Sequence, residues 1–576
     1  MRRFFASGMA ALLVAVAVAG CADDKNSISV FSPPSPAEMT VSAIDNLFRP
    51  TALSVAAGTE VVFVNDGRND HNIVPADGSA SFGVAKEAFR PGQVYRHTFT
   101  EPGTYAFFCS IHGTSASGMV GTVTVTGADG STGTTTTAAA PATTAAPAGP
   151  AAAAADADGV IAVPSEIATI QGAVDAAKPG DLVLVSPGVY HEAVNVTTDN
   201  LTIRGLDRNE TILDGQFALD NGVRVLGANG VAVENMTARN YTANGFFWTS
   251  VTGYRGSYLT TYRTGDYGIY AFDAVNGLIE HSYASGSPDA GVYIGECYQC
   301  NAVIDDMTSE YNGLGYSGTN SGGNLYIVNS IFRYNRAGIV PNSGSYELCY
   351  PERRTTIVGN LVYSNNQPDT PAIDVALLAM GNGILSAGGV ENVIERNLVY
   401  DHDKSGIGLV PFLEEDPNDN PPPDSELDRP CSETKNDPLP NPAPTGAVLW
   451  DSKRSQVRDN VVSDSRLADL LVASAGTDLA TLGHCFSGNT FSSSAPSAIE
   501  QLAPCSGTGS GDWNAGAADI VPWLNEVHPP SADYKVSSPV PPRQPTMPDA
   551  ATAPARPATD MPPKVDLAAI GVPAHP

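Results

Sequence analysis

The chain has 576 residues, enough for two or three domains, and 42% of them are hydrophobic. Its 61 acidic residues outnumber its 31 basic ones, which gives a formal net charge of −30 at neutral pH. This charge argues against nucleic acid as a partner and repels anionic polymers unless metal ions intervene.

Residues 1–21 carry the features of an export signal. Arg2 and Arg3 precede an apolar run from about Met9 to Ala19 that is too short to span a bilayer, and small residues lead into Cys21. The segment VAGC that ends at Cys21 resembles a bacterial lipobox, which implies cleavage before Cys21 and lipid attachment to its sulfur. We therefore expect an exported bacterial lipoprotein, on the outer face of the cell membrane or in the periplasm, that meets the membrane through its lipid alone. The alternative is plain secretion.

Between residues 38 and 126, short β-rich segments alternate with turn signals. The segments MTVSAIDNLF, TEVVFVN, GTYAFFC and GMVGTVTV are typical strands of a small β-sandwich.

Cys109 and His112 follow an aromatic strand, and Met119 comes shortly after them. His71 lies upstream. A thiolate, two imidazoles and a thioether are ligands that stabilise both Cu(I) and Cu(II), so the set predicts a copper site with Cys109 at a strand end and His112 in the following loop.

Residues 38–126 resemble the plastocyanin-like cupredoxin family, on the segments NDHNIV, FFCSIHG and SGMVGTV. The resemblance implies a type 1 copper ion with His71, Cys109 and His112 in its plane. Met119 is the implied axial ligand, and a backbone oxygen is the alternative. His97, within a strand pattern, is interpreted as an ordinary surface residue. One-electron transfer is the activity that this resemblance implies.

Other copper chemistries lack the residues they need. A binuclear electron-transfer centre requires a second bridging cysteine in the ligand loop, which holds only Cys109. A trinuclear oxygen-reducing cluster requires His-x-His pairs, and the nine histidines contain none. Oxidative polysaccharide-cleaving copper enzymes use an N-terminal histidine, whereas the expected mature chain begins at Cys21. The predicted site is therefore mononuclear.

The segment 127–158 is rich in Ala, Thr and Pro and predicts a flexible tether between two domains. After it, the segment Ile167–Tyr190 predicts a short amphipathic helix that caps a second domain and is followed by that domain's first strands. The last segment, 525–576, is rich in Pro and Ala and is expected to wrap around or trail from the second domain, residues 159–524.

The second domain carries an internal repeat. Gly222, Gly245, Gly268 and Gly291 are each 23 residues apart, and short β-branched segments lie between them. Stacked coils of short strands, about ten in all, would share one core.

Residues 159–510 resemble the right-handed parallel β-helix proteins of the pectin-lyase-like superfamily. That group includes polysaccharide lyases, hydrolases, epimerases and a periplasmic protein of copper maturation, so the fold alone names no reaction. The whole chain is thus predicted to be all-β, a cupredoxin sandwich followed by a β-helix solenoid.

No catalytic residue follows from the repeat. Asp266 and Asp289 each precede a repeat glycine by two residues and could stack on adjacent coils as a calcium or substrate site. We favour the other interpretation, that they are turn residues. Asp401-His402-Asp403 is similar to the Asp-Pro-His-Asp motif of alginate epimerases, but without its proline.

Six cysteines remain beside Cys21 and Cys109, an even number that suits an oxidising compartment. Their spacing favours disulfides Cys297–Cys300 and Cys485–Cys505. Cys349 and Cys431 are left on two insertions, near Ser345–Arg354 and at Phe412–Ala447, which could form a groove wall or a partner surface. A redox or metal pair is the alternative for the first two cysteines.

Three functions are compatible with this architecture. The first is one-electron transfer at copper, with a redox protein as partner. The second is a carbohydrate-binding or carbohydrate-cleaving β-helix with an auxiliary copper domain. The third is copper delivery to an acceptor enzyme.

Overall fold

The computed structural model describes residues 39–127 and 159–576, without residues 45–46, 68–69, 116–117, 416, 436, 438–439, 441–443 and 525. The predicted export signal with Cys21, and all but the first residue of the predicted tether, lie outside these ranges. Within them, none of the helices has the length and hydropathy that crossing a bilayer requires.

The N-terminal domain is a sandwich of two four-stranded sheets. One sheet contains, in spatial order, Leu47–Arg49, Met39–Ile44, Thr59–Asn65 and Val94–Phe99. The other contains Ala52–Ala56, Gly118–Thr126, Gly103–Gly113 and Val74–Pro75. Their inner faces pack around Phe48, Phe63 and Phe107, whose rings meet edge to face with centroids 4.9 and 5.3 Å apart. This apolar core fixes the positions of the strands that carry the predicted ligands.

The second domain is a parallel β-helix with three faces. The front face contains Val194–Val196, Val223–Leu226, the first parts of Phe246–Ser257 and Ile269–Glu280, Ala290–Gly295, Leu314–Thr319, Ala337–Asn342, Ile384–Ala387, Ser405–Val410, Ala468–Val472 and Ser494–Ala495. The back face contains Val160–Val163, Leu182–Val185, Thr202–Gly205, Val231–Glu234, the second parts of the two long strands, Ala302–Asp305, Gly322–Val328, Arg353–Val358, Val393–Glu395, Gln456–Arg458 and Cys485–Ser487. The side face is a ten-stranded sheet of Gly188–Tyr190, Thr211–Asp214, Thr237–Arg239, Thr260–Tyr262, Tyr283–Ser285, Thr308–Glu310, Ile331–Arg333, Leu361–Tyr363, Leu398–His402 and Val461–Ser465.

The 23-residue repeat is the length of one coil. Phe246 pairs with Ile269 and Ile269 with Val292, in parallel register on consecutive coils. Glycine is required at the repeat position because the coils approach closely there: a Cβ on Gly245 would lie 2.7 Å from the carbonyl oxygen of Gly268. The prediction of a solenoid is confirmed.

Short helices occur at the ends and in the insertions. The α-helix Ile170–Ala176 covers the first coils, and Thr169 caps it by accepting a hydrogen bond from the Gly172 N–H at 3.1 Å. The other α-helical turns are Val375–Leu378, Cys431–Thr434, Ile499–Leu502, Val521–Leu524 and Tyr534–Ser537. The 3-10 turns are Lys86–Ala88, Asp424–Glu426, Leu479–Thr481 and Leu567–Ala569. The predicted capping helix is therefore present, although the strand Val160–Val163 precedes it.

The two insertions are joined to each other. The strands Phe412–Glu414 and Val448–Trp450 pair antiparallel at the base of the longer insertion. The disulfide Cys349–Cys431 links the two insertions, and Cys297–Cys300 and Cys485–Cys505 form the other two disulfides. This is the pairing that the spacing of the cysteines favours.

Candidate metal centre

Three of the predicted copper ligands come together at one end of the sandwich. His71 lies between the strands Thr59–Asn65 and Val74–Pro75, whereas Cys109 and His112 both lie in the strand Gly103–Gly113. The pairing of this strand with Gly118–Thr126 shifts register between Phe108 and Gly113. His112 was expected in a loop after the strand. Instead, the register shift turns the strand so that Cys109 and His112 face the same point.

The donor atoms have the spacing of ligands to one ion. The Nδ1 atoms of His71 and His112 are 3.1 Å apart, and the Cys109 Sγ is 3.8 and 3.7 Å from them. Two bonds of about 2.0–2.3 Å that meet at about 100–120° separate their donor atoms by roughly 3.1–3.8 Å. Among the residues that the structure describes, these three form the cluster of His, Cys, Asp or Glu side chains that could hold a metal ion. The residues present therefore fit a single copper ion.

Burial keeps both imidazoles neutral. His71 and Cys109 are 0% exposed. Burial lowers the pKa of His71 to about 3, and burial, together with the nearby positive charges, lowers the pKa of His112 well below its usual value. Burial raises the pKa of Cys109, while hydrogen bonds from backbone N–H groups and the charge of Arg224 act in the opposite direction. At neutral pH the imidazole lone pairs are available to a metal, and binding requires only the thiol to lose its proton.

Asn72 connects the two segments that carry the ligands. Its Oδ1 accepts a hydrogen bond from the Ser110 N–H at 2.8 Å, and its Nδ2 donates to Ser110 Oγ at 2.8 Å. On the other side, Asn65 Nδ2 donates to the Phe89 carbonyl at 2.9 Å, which also accepts from the His71 N–H. These contacts hold the His71 loop and the Cys109 strand together without a metal.

The surroundings of Met119 and His97 indicate different roles for these two residues. Met119, in the strand Gly118–Thr126, is fully buried and belongs to the same core cluster as Cys109. His97 is half-buried on the strand Val94–Phe99, where its ring lies against Phe82 and Phe99. Met119 as the axial ligand stays a prediction, and His97 is not part of the ligand cluster.

The predicted residues of the β-helix form no comparable site. Asp266 and Asp289 occupy consecutive coils, and Asp289 Oδ2 accepts a hydrogen bond from the Tyr267 hydroxyl at 2.9 Å. The cavity beside them measures about 20 Å³, close to the space of a single water molecule. His402 is buried within the stack, where its Nε2 lies 3.3 Å from Asn365 Nδ2.

Two residues that lie near the cluster were not identified from the sequence. Asn72 could have been found, because it directly follows His71 in NDHNIV and its side chain suits a turn. Arg224 could not, because it lies on the front face of the β-helix, 115 positions after Cys109, and no local pattern connects them.

Comparison with known proteins identifies relatives of both domains. Residues 37–126 match a family described as copper binding proteins of the plastocyanin/azurin family, and residues 221–410 match a family described as a right handed beta helix region. Plastocyanin from Lactuca sativa is 41% identical over 88 residues, which cover 14% of this chain and 87% of that protein. Plastocyanin from Prochlorothrix hollandica is 44% identical over 84 residues, which cover 14% of this chain and 63% of that protein.

Among solved structures, the A-module of mannuronan C-5 epimerase AlgE4 from Azotobacter vinelandii aligns with 58% of this chain and 91% of its own. Its sequence identity is 14% and its TM-score 0.35, so it carries no argument about activity. The two family matches and the arrangement of strands confirm the predicted fold class and the two resemblances.

Proposed function

Through residues 37–126 the chain belongs to the plastocyanin/azurin family of copper-binding proteins, and from this premise we propose that it is an electron-transfer protein with a mononuclear type 1 copper site. His71, Cys109 and His112 would supply three ligands to the ion, and Met119 would supply the fourth. The observation that carries the proposal is the buried set of one sulfur and two nitrogen donors within 4.8 Å of one another.

The residues around the site suit a one-electron step. Bound copper supplies a Cu(II)/Cu(I) couple, for which this donor set is acceptable in both oxidation states. The buried core and the hydrogen bonds of Asn72 hold the ligands in one arrangement, so little needs to move when an electron passes. Because Cys109 is the one cysteine outside a disulfide among the described residues, the site has no second thiolate for a binuclear centre.

The test is the visible and electron paramagnetic resonance spectrum of the chain after Cys21, titrated with Cu(II). An intense thiolate-to-copper band should appear with one equivalent of copper and should be absent from Cys109→Ser. His97→Gln is the matched control, because it removes a histidine of the same domain that lies outside the ligand cluster, and its band should equal that of the native protein. Absence of the band from the native protein would refute the type 1 assignment.

Export and a lipid anchor at Cys21 belong to the same proposal. They are supported by the export signal and lipobox in residues 1–21 and by the three disulfides, which suit an oxidising compartment. The partner on this account is a redox protein or a copper acceptor outside the cytoplasm. The mass of the N-terminal peptide of the protein from membranes would reveal or exclude the lipid.

A second candidate function, carbohydrate binding by the β-helix, is favoured by a cleft of about 460 Å³ near its C-terminal end. Small ligands occupy clefts of about this size. Lys404 lines the cleft. The Lys404 Nζ atom is 2.8 Å from Glu526 Oε2 and 5.1 Å from the ring centroid of Trp523. Asp403, Arg466 and His528 also line it. An aromatic face beside charged side chains can stack on a sugar ring and bind its polar groups.

Glycan binding at this cleft is tested with a panel of acidic and neutral oligosaccharides by calorimetry. Trp523→Ala should weaken binding at least tenfold, because it removes the stacking surface. Trp513→Ala is the control, since Trp513 does not line the cleft. Equal affinities in the two variants, or no binding to the native protein, would rule out this second candidate.

A further inference from the structure

An arginine of the β-helix contacts the strand segment between two of the copper ligands, Cys109 and His112. Arg224 Nη1 donates hydrogen bonds to the carbonyl oxygens of Ile111, at 2.7 Å, and Ser110, at 3.3 Å. Both carbonyls lie in the four-residue segment that begins at Cys109 and ends at His112. The contact therefore joins the β-helix to the part of the copper domain that determines the ligand geometry.

The β-helix holds this arginine in position. Arg224 belongs to a row of front-face residues in which it pairs with Asn195 on one side and Phe247 on the other. Its Nε donates to Asn195 Oδ1 at 2.9 Å, and its Nη1 lies 3.7 Å from Asp220 Oδ2. The side chain is only 13% exposed. A guanidinium oriented in this way loses little further freedom when it binds two carbonyls.

The copper domain touches the β-helix at a second place as well. Leu47 of the sandwich packs against a cluster formed by Tyr298, Leu348, Cys349 and Cys431. Asn418 Nδ2 lies 3.5 Å from the Asp66 carbonyl oxygen. These β-helix residues belong to, or contact, the two insertions that the disulfide Cys349–Cys431 joins. Two separated points of contact fix an orientation, whereas a single one would allow the domain to swivel.

The charge of Arg224 acts on the copper centre. A nearby cation favours the state of lower positive charge, which is Cu(I) in a Cu(II)/Cu(I) couple. With its charged group among buried atoms, Arg224 is screened less by salt than an exposed arginine would be.

We propose that the β-helix is the built-in docking partner of the copper domain, and that Arg224 is the positioning residue that holds the segment from Cys109 to His112 and raises the reduction potential of the centre. The inference rests on the proposed electron-transfer function. It assigns the insertions a role as a docking surface for the copper domain of the same chain. An external redox partner therefore meets a copper domain whose segment from Cys109 to His112 is already covered on the Arg224 side.

The experiment compares the full chain with Arg224→Ala and Arg224→Gln, the second of which fills more of the space that the arginine leaves. Arg543→Ala is the control, because it removes one positive charge from an ion pair with Glu210 on the β-helix and Arg543 is 68% exposed. Two quantities are measured: the reduction potential of the copper-loaded protein, and hydrogen–deuterium exchange of the peptide containing residues 109–113 in copper-free protein.

Both Arg224 variants should lower the equilibrium constant for reduction at least threefold, which is about 28 mV at 59 mV per tenfold change. Exchange in the 109–113 peptide should accelerate at least tenfold, and Arg543→Ala should change neither quantity. A folded Arg224 variant with native exchange or native potential would overturn the inference. Absence of a type 1 spectrum in the native protein would instead refute the proposed function, while the exchange measurement would still test the docking.

Discussion

At the scale of single residues, Asn72 connects the two segments that carry the copper ligands. It follows His71 directly, and its side-chain amide makes two hydrogen bonds of 2.8 Å with Ser110, the residue after Cys109. Each such bond contributes about 0.5–1.5 kcal/mol. The larger effect is on geometry, because these bonds keep the His71 loop in register with the Cys109 strand before any metal binds.

Asn72→Ala should therefore weaken copper binding by about 10–100-fold, the usual cost of losing a group that orients metal ligands. Competition with a Cu(I) chelator measures the affinity directly. Asp77→Ala is a fitting control, since Asp77 accepts a hydrogen bond from Ser79 within an exposed turn of the same domain. An affinity of Asn72→Ala equal to that of the control would show that the backbone alone orients the ligands.

At the scale of elements, the β-helix could be predicted from the 23-residue spacing of its glycines. Each repeat glycine lies where the next coil leaves no room for a Cβ. The same close approach recurs on other coils, at Gly222, Gly268 and Gly338, and is therefore visible in the sequence. The asparagines at the turns follow a similar rule: Asn335 Nδ2 donates to Asn365 Oδ1 at 3.0 Å, and Asn397 Nδ2 to Asn460 Oδ1 at 2.9 Å. These ladders explain why asparagines recur at the turns of successive coils.

The turn of the Cys109 strand could not be predicted in the same way. A register shift depends on how the strand pairs with Gly118–Thr126, and local spacing is the same whether His112 ends a strand or begins a loop. The ligand types were predictable because copper chemistry restricts them, whereas the path of the backbone between them depends on the partner strand. The contact with Arg224 could not be predicted from any local pattern either, because it joins the surfaces of two separately folded domains.

At the scale of the whole molecule, the last residues run along the β-helix and supply backbone acceptors to buried arginines. Arg204 donates to the carbonyls of Ala553 and Pro554 at 2.7 and 2.9 Å, and Arg336 donates to those of Pro529 and Pro530, both at 2.7 Å. Further along, Val565, Leu567 and Ile570 pack against Val303, Val328 and Val358 of the back face. The Pro-rich composition suits this role, because an extended proline segment leaves its carbonyls free to accept.

A chain that ends at Val540 should consequently have a less stable β-helix. It keeps the acceptors of Arg336 but leaves Arg204 without those at Ala553 and Pro554, and Arg208 without that at Pro545. Hydrogen bonds to a charged donor contribute about 1.5–3 kcal/mol each, so with water replacing part of the loss we expect a decrease of about 3–5 kcal/mol. Thermal unfolding followed by circular dichroism should show a midpoint lower by about 5–10 °C. Deletion of residues 573–576 is the control, and a similar midpoint in both truncated chains would mean that the arginines find equivalent partners in water.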